Sequence, residues 1–333
     1  MRYQSSDEDS ARWTGFPYRD GDIVISTRSK TGTTWVQMIC ALLVFQTPEL
    51  PAPLAELSPW VDWLILPREE MIARLQAQQH RRFVKTHTPL DGIPLDERAT
   101  YIVAGRHPLD MMVSLIYQSD NIDHAKVRQL TGQPHTGATQ RPRRPLHDRL
   151  MRLIDDDSSP QESMDGLRGV FWHLSGAWSL RDEPNIVLVH YADLVSDLSG
   201  VMRRLASRLG ITVPEERWPA LVQAATFGEM RARANKLAPD PKGILKDRDA
   251  FFRRGTSGSG RELLTAEELA HYHARAASLA PADLLAWMHR LSWRVPAHRC
   301  AASSGGRNLA ASDLRSACSD TNDNAELTIA ATV

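Results

Sequence analysis

Four short strand-like runs punctuate the chain, three of them apolar, and all but the second lead through small or polar residues into a longer stretch with helical spacing. The first, Ile23-Val-Ile-Ser26 after Asp22, is β-branched and too short for a helix. It gives way to a polar loop, Thr27-Arg-Ser-Lys-Thr-Gly-Thr-Thr-Trp35, and then to the almost wholly apolar stretch Val36 to Phe45. This order predicts a strand over 22–26 and a buried helix over about 33–46. Similar runs at 82–86, 101–105 and 186–190 predict three more strands. Strands that are apolar without alternation belong to parallel sheets covered on both faces. Their alternation with helical segments predicts an α/β fold, a three-layer sandwich with a central parallel sheet.

The connecting segments carry their own signals. Residues 67–80 read as a helix, with Pro67 at its start, Glu69 and Glu70 in the first turn and His80 at its end. Pro108 and Asp110 open another that runs to about Gln118. Leu198, Val201, Leu205 and Leu209 share a stripe that Gly210 ends. Helices are also expected over 146–155, 163–181, 265–279 and 281–290. Residues 1–21 read as an irregular lead-in, proline-rich 47–59 as loop, and 123–145, with Gly132, Pro134, Gly137, Pro142 and Pro145, as a mobile loop. The expected domain is therefore 22–297, and 298–333, rich in Ala, Ser, Gly and Asn without a period, reads as a disordered tail.

Charge narrows the possible partners. Lys+Arg and Asp+Glu both number 40, so no global field favours nucleic acid or an anionic membrane, and any anion site must be local. Cys40, Cys300 and Cys318 are too few and too scattered for a disulfide framework or a zinc site, which fits a reducing compartment and a cytoplasmic protein. The N-terminus lacks the apolar core of a signal peptide, and no apolar run reaches the roughly 18 residues of a membrane span. Lysine is scarce, occurring at only six positions, and two of these, Lys30 and Lys85, fall in the two most informative motifs.

The first motif is the loop after the first strand. A strand, a small polar loop and a helix N-terminus present several backbone N–H groups to one anion. The nucleotide-triphosphatase loop needs lysine after its second glycine, whereas here a single Gly32 follows Lys30 by two positions. Gly32 lets the backbone turn towards an anion, the amides of Thr31 to Thr34 and the hydroxyls of Thr33 and Thr34 can donate to it, and Trp35 adds an aromatic face. Lys30-Thr-Gly-Thr-Thr-Trp35 resembles the 5′-phosphosulfate loop of the sulfotransferases, usually Lys-Ser-Gly-Thr-Thr-Trp. Lys85-Thr86-His87, at a strand's carboxyl end, resembles the Lys-Thr-His segment whose histidine is that family's catalytic base.

Further elements follow in the family's order. Arg106-x-Pro108-x-Asp110-x-x-x-Ser114, with Tyr117 beyond, resembles the 3′-phosphate-binding element, implying that Arg106 and Ser114 bind that phosphate. Tyr191 resembles the adenine-contacting tyrosine. Thr226-Phe227-x-x-Met230 resembles the adenine pocket, with Ala225 in the usual threonine's place and Thr226 as its substitute. Phe251-Phe-Arg253-Arg254-Gly255 resembles the late loop that closes over the 3′-phosphate, Arg254 replacing a lysine. Beyond Gly255 the match weakens: Ala266 and Ala270 stand where the dimerisation pattern has valine and glutamate, and no oligomeric state follows.

The chain is thus similar to cytosolic-type sulfotransferases over about 22–295, with 78–94 nearest to glycolipid sulfotransferases of actinobacteria. That resemblance implies a P-loop-like sulfotransferase fold and the donor 3′-phosphoadenosine 5′-phosphosulfate (PAPS; product PAP). It implies His87 as base, Lys30 and Lys85 as catalytic cations, no metal, and a small-molecule or glycolipid hydroxyl as acceptor. Trp60 and Trp63, three apart, are either core or a wall of the acceptor pocket. A small-molecule kinase and a non-catalytic nucleotide- or lipid-binding module remain as alternatives. The former would want the triphosphatase loop and a magnesium-binding aspartate, and the latter would need neither His87 nor Lys30.

Overall fold

The computed structural model describes residues 1–290 except 133–142, 241, 254, 256 and 257. Four strands, β1 (Ile23–Thr27), β2 (Phe83–Thr86), β3 (Thr100–Gly105) and β4 (Ile186–His190), form one parallel sheet in the order β2-β1-β3-β4. β1 lies at the centre, Ile23 to Ser26 paired with Phe83 to Thr86 on one side and Ile23 to Thr27 with Thr100 to Ala104 on the other. The chain leaves β1 in both directions, so the gap between β1 and β3 is the topological switch point at which open α/β sheets bind ligands.

The side chains of each strand feed two cores. Ile23, Ile25, Phe83, Ile102 and Ala104 pack on one face with α1 (Thr33–Phe45). Val24, Val84, Tyr101 and Val103 pack on the other. α2 (Leu54–Leu57) and α3 (Arg68–Ala77) precede β2, while α4 (Pro108–Asn121), α5 (His124–Leu130), α6 (Leu146–Ile154) and α7 (Leu167–Ser179) lie between β3 and β4. After β4 come α8 (Tyr191–Ser196), α9 (Leu198–Arg208), α10 (Trp218–Ala224), α11 (Phe227–Ala232), α12 (Ala234–Leu237), α13 (Ala266–Leu279) and α14 (Ala282–Met288). α1, α9 and α10 cover the first face; α4, α6, α7 and α13 cover the second. The expected three-layer sandwich is the architecture found.

Three segments differ from expectation. Proline-rich 47–59 is not all loop: Pro53 starts the single turn α2, which buries Leu54 and Leu57 against α1. Within 123–145, Asp123 accepts from the amides of Ala125 and Lys126 and so caps α5; the polar composition hid a good N-cap. The rest of that segment, 133–142, and the tail after His298 lie outside the described residues. The lead-in contains a 3₁₀ turn (Ser10–Trp13), and bridges from Gln4 to Asp9 and from Glu8 to Trp63 hold it against the domain. Tyr3 is buried, its hydroxyl accepting from the Trp172 indole (2.7 Å) and donating to Asp91 (2.8 Å). At the base of the sheet, Arg82 donates through Nε to Asp22 (2.8 Å) and through Nη2 to its other oxygen, both side chains buried.

Candidate active site

β1 ends at Thr27, and the chain turns through two left-handed residues, Lys30 (φ 68°) and Gly32 (φ 108°), before α1. A Cβ at Gly32 would sit 3.2 Å from Tyr191, so the position needs glycine for both torsion and space. Lys30 holds a left-handed conformation without that freedom, a strain characteristic of functional loops. α1 begins without a side-chain cap, which leaves its first amides available to an anion. Thr27 and Thr33 join hydroxyls at 2.6 Å across the loop. Thr31, by contrast, turns inward: its amide (3.3 Å) and hydroxyl (2.7 Å) both donate to the Arg28 carbonyl.

This loop opens into a cavity of about 490 Å³ at the carboxyl ends of the strands. It brings together Lys30, Gly32, Thr33, Thr34, Trp35, Lys85, His87, Arg106, Ser114, Tyr191, Phe227, Met230, Phe251, Arg253 and Gly255. Of the residues expected at the site, Thr31 and Thr226 do not line it, and Arg254 lies outside the described residues. Thr226 is committed to helix α11, its hydroxyl accepting from Glu229 and donating to the Gln223 carbonyl. The substitution of Thr226 for the absent threonine is therefore not what the geometry offers. Ala225 instead accepts the Trp35 indole N–H through its carbonyl (2.8 Å).

Much of the cavity lining is cationic. Arg106 donates to the Lys30 carbonyl (3.1 Å), which fixes the strained turn, and stacks over Tyr191 at 4.2 Å. Arg253 lies over Tyr117 at 4.3 Å, and the Lys30 ammonium over Phe251 at 4.0 Å. Burial, and then Arg106, Arg253 and Lys85, bring the Lys30 pKa down to about 7. Confinement of like charges is what an anionic ligand relieves. Trp35, Tyr191, Phe227 and Phe252 form an adjoining aromatic wall, with neighbouring rings 5.5–6.2 Å apart. Gly255 (φ 65°) closes it, and a Cβ there would meet the Phe227 ring at 2.6 Å. Asp110, expected only as a first-turn acid, accepts from the amides of Gly258 (2.7 Å) and Gly260 (3.0 Å) and so pins the late loop to α4.

The same cavity holds the histidine. His87 Nδ1 lies 2.5 Å from the Thr27 carbonyl. A carbonyl can only accept, so Nδ1 carries the proton and Nε2 keeps its lone pair. Burial, reinforced by Lys85 and Arg28, holds the imidazole well below its ordinary pKa and therefore neutral. Lys85 itself is lowered to about 8 by burial, against the pull of Glu8 and Asp62. Its ammonium sits 4.0 Å over the Trp60 ring, which stacks on Trp63 (5.2 Å, 5°) and meets His87 edge-on (4.7 Å, 77°). The tryptophan pair is thus a wall of the cavity.

Residues that sequence reading missed complete the surroundings of His87. Arg28 donates to the His87 carbonyl (2.8 Å) and to Asp165 (3.0 Å), tying the histidine to the segment before α7. Its place inside the loop, two positions before Lys30, was the available signal. Asp62 accepts from Thr86 and Thr88, each at 2.5 Å, and buttresses the turn around His87; it stood between two tryptophans that drew the attention. Glu8 lines the cavity from the lead-in, where nothing in the polar sequence marks it.

A model of the sulfotransferase domain matches residues 20–289. The chain is a member of the sulfotransferase family. Among curated sulfotransferases it is 42% identical over 314 residues to a glycolipid sulfotransferase of Mycobacterium bovis, covering 86% of this chain and 93% of that one. A glycolipid sulfotransferase of Mycobacterium tuberculosis matches at 42% over 313 residues, with the same coverage. Sulfotransferase 2B1 of Homo sapiens matches at 27%, covering 74% of this chain and 62% of the human one. In fold, the sulfotransferase resembles retinol dehydratase in complex with retinol and PAP (TM-score 0.62, 19% identity, 86% of each chain). It resembles equally a mouse sulfotransferase complexed with PAP (TM-score 0.62, 18% identity, 85% of this chain and 94% of that one).

Proposed function

We propose that this sulfotransferase moves the sulfuryl group of PAPS onto a hydroxyl of a glycolipid, with His87 as base. The observation that carries the reading is the convergence of a neutral, oriented imidazole and a confined cationic cluster in one cavity. The amides of Thr33 and Thr34 and the Lys30 ammonium take the 5′-phosphate end of the donor. Arg106, Ser114 and Arg253 take the 3′-phosphate, and Trp35, Tyr191 and Phe227 take the adenine. The acceptor's class comes from the mycobacterial relatives, whose names specify a glycolipid.

Sulfuryl transfer, like phosphoryl transfer, is largely positioning and charge stabilisation around an in-line displacement. His87 Nε2 accepts the proton of the attacking hydroxyl as its oxygen bonds to sulfur. The bond from sulfur to the bridging oxygen of the 5′-phosphate breaks, and Lys30 meets the charge that grows there. Arg28 and the Thr27 carbonyl keep the imidazole aimed, and burial, with Lys85 beside it, keeps it neutral. Neither a kinase nor a simple binding module accounts for this cavity: the loop lacks the triphosphatase lysine position, and binding alone does not require a desolvated imidazole.

Transfer of labelled sulfate from PAPS to a panel of mycobacterial-type glycolipids tests the reading. His87→Ala should lower turnover by roughly 10²- to 10⁴-fold while leaving PAP affinity unchanged. Parent-like turnover in that variant removes the histidine from the chemistry. Turnover with ATP and magnesium in place of PAPS would favour the kinase.

A further inference from the structure

A second chamber, of about 180 Å³, lies against the active-site cavity, and Trp60, Trp63, Lys85 and Pro239 line both. We propose that this chamber is a subsite for an unbranched alkyl chain of the acceptor, entered past the Trp60–Trp63 pair; the assignment rests on the acceptor reading above. The chamber's inner walls are Leu54, Leu66, Leu237 and the tryptophan rings, with Ala55 the smallest residue around it. Of its buried polar neighbours, Gln37 donates to the Ser58 hydroxyl (2.9 Å) and carbonyl (3.2 Å), and the Lys85 ammonium lies 4.0 Å over the Trp60 ring. Exposed Glu56, Arg74 and Lys242 stand at the far side and mark the opening to solvent.

Position selects the occupant. His87 touches the edge of Trp60, so a hydroxyl at Nε2 and an atom entering the chamber are separated by about one indole. A molecule that places a polar head at the histidine therefore sends its next apolar segment past the tryptophan pair. A dry apolar cavity of about 150 Å³ takes a benzene-sized ligand. The chamber then suits about six or seven carbons, and a longer chain would emerge between Glu56, Arg74 and Lys242.

The test uses the PAP-loaded protein and a series of alkyl β-D-glucosides, methyl to decyl, kept below their micellar concentrations, with affinity measured by calorimetry. In the parent, affinity should rise about fourfold per methylene, the equivalent of ~0.8 kcal/mol, and flatten beyond about seven carbons. Ala55→Phe fills the chamber and Ala55→Asp charges it. Both should reduce the whole chain-length gain to less than about threefold and leave methyl glucoside binding unchanged. A parent without chain-length dependence, or variants that retain the parent's increments, overturns the assignment. Failure of the catalytic reading looks different: no glucoside is sulfated from PAPS, whereas the binding series still reports on the chamber.

Discussion

The titration of Lys30 offers the sharpest quantitative test. In the ligand-free protein, burial and the guanidinium groups of Arg106 and Arg253 bring its pKa to about 7, against an ordinary 10.5. A doubly phosphorylated nucleotide reverses the local field and restores the ordinary value, because opposite charge at close range favours the ammonium. The sign follows: the free state favours neutral lysine above pH 7 and the bound state does not, so binding takes up a proton. Affinity is fully expressed below pH 7 and lost as pH rises. Between the two pKa values the loss is about tenfold in Kd per pH unit, with uptake approaching ~1 proton per PAP near pH 8.5. Lys85, lowered to about 8, adds in the same direction. Calorimetry of PAP binding at pH 7, 8 and 9 in HEPES and in Tris separates the proton's heat from the ligand's. Lys30→Met should abolish most of the uptake and flatten the pH dependence. A Kd constant from pH 7 to 9, or equal proton uptake in the variant, would refute this account of the cationic cluster.

The remaining expectations concern the donor clamp and the frame around it. Arg106→Ala should weaken adenosine 3′,5′-bisphosphate by about 10- to 150-fold, the loss of a charged hydrogen-bond set worth ~1.5–3 kcal/mol. Adenosine 5′-monophosphate binding should fall by less, through the Lys30 turn and Tyr191 that Arg106 also holds; equal losses for both nucleotides would confine Arg106 to that framing role. Gly255→Ala forces a left-handed alanine against Phe227, and the torsion alone costs ~1–2 kcal/mol, so PAP should bind at least about fivefold more weakly, as titration would show. Asp22→Ala strands the buried Arg82 guanidinium and should lower stability by ~3–5 kcal/mol in urea unfolding. A change under about 1 kcal/mol would mean that water reaches the pair.

Much of the fold was legible because the sheet is covered on both faces. Ile23-Val-Ile and the runs of β3 and β4 have no polar side to solvate, and a run of that kind has few other places to go. The site was legible where the backbone demands particular residues: Gly32 for torsion and space, and His87 at the end of β2. It was illegible where residues act through distant partners. Arg28 reaches Asp165, Asp62 serves Thr86 and Thr88, and Glu8 reaches the cavity from the lead-in, and no local pattern encodes such meetings. Thr226 shows the opposite failure, because the same hydroxyl suits a ligand and a helix cap and the nearer partner took it.

The hydrogen bond from His87 to the Thr27 carbonyl has a consequence for how such an enzyme can change. On the roles proposed above, the carbonyl that aims the base belongs to the same turn that takes the anion, so the geometry of both halves is set by one turn. The tryptophan pair, the lead-in around Glu8 and the stretch before α7 line the cavity from separate parts of the polymer. Each can therefore be rewritten without retuning the chemistry, and new acceptors become reachable by substitutions that leave the catalytic turn untouched.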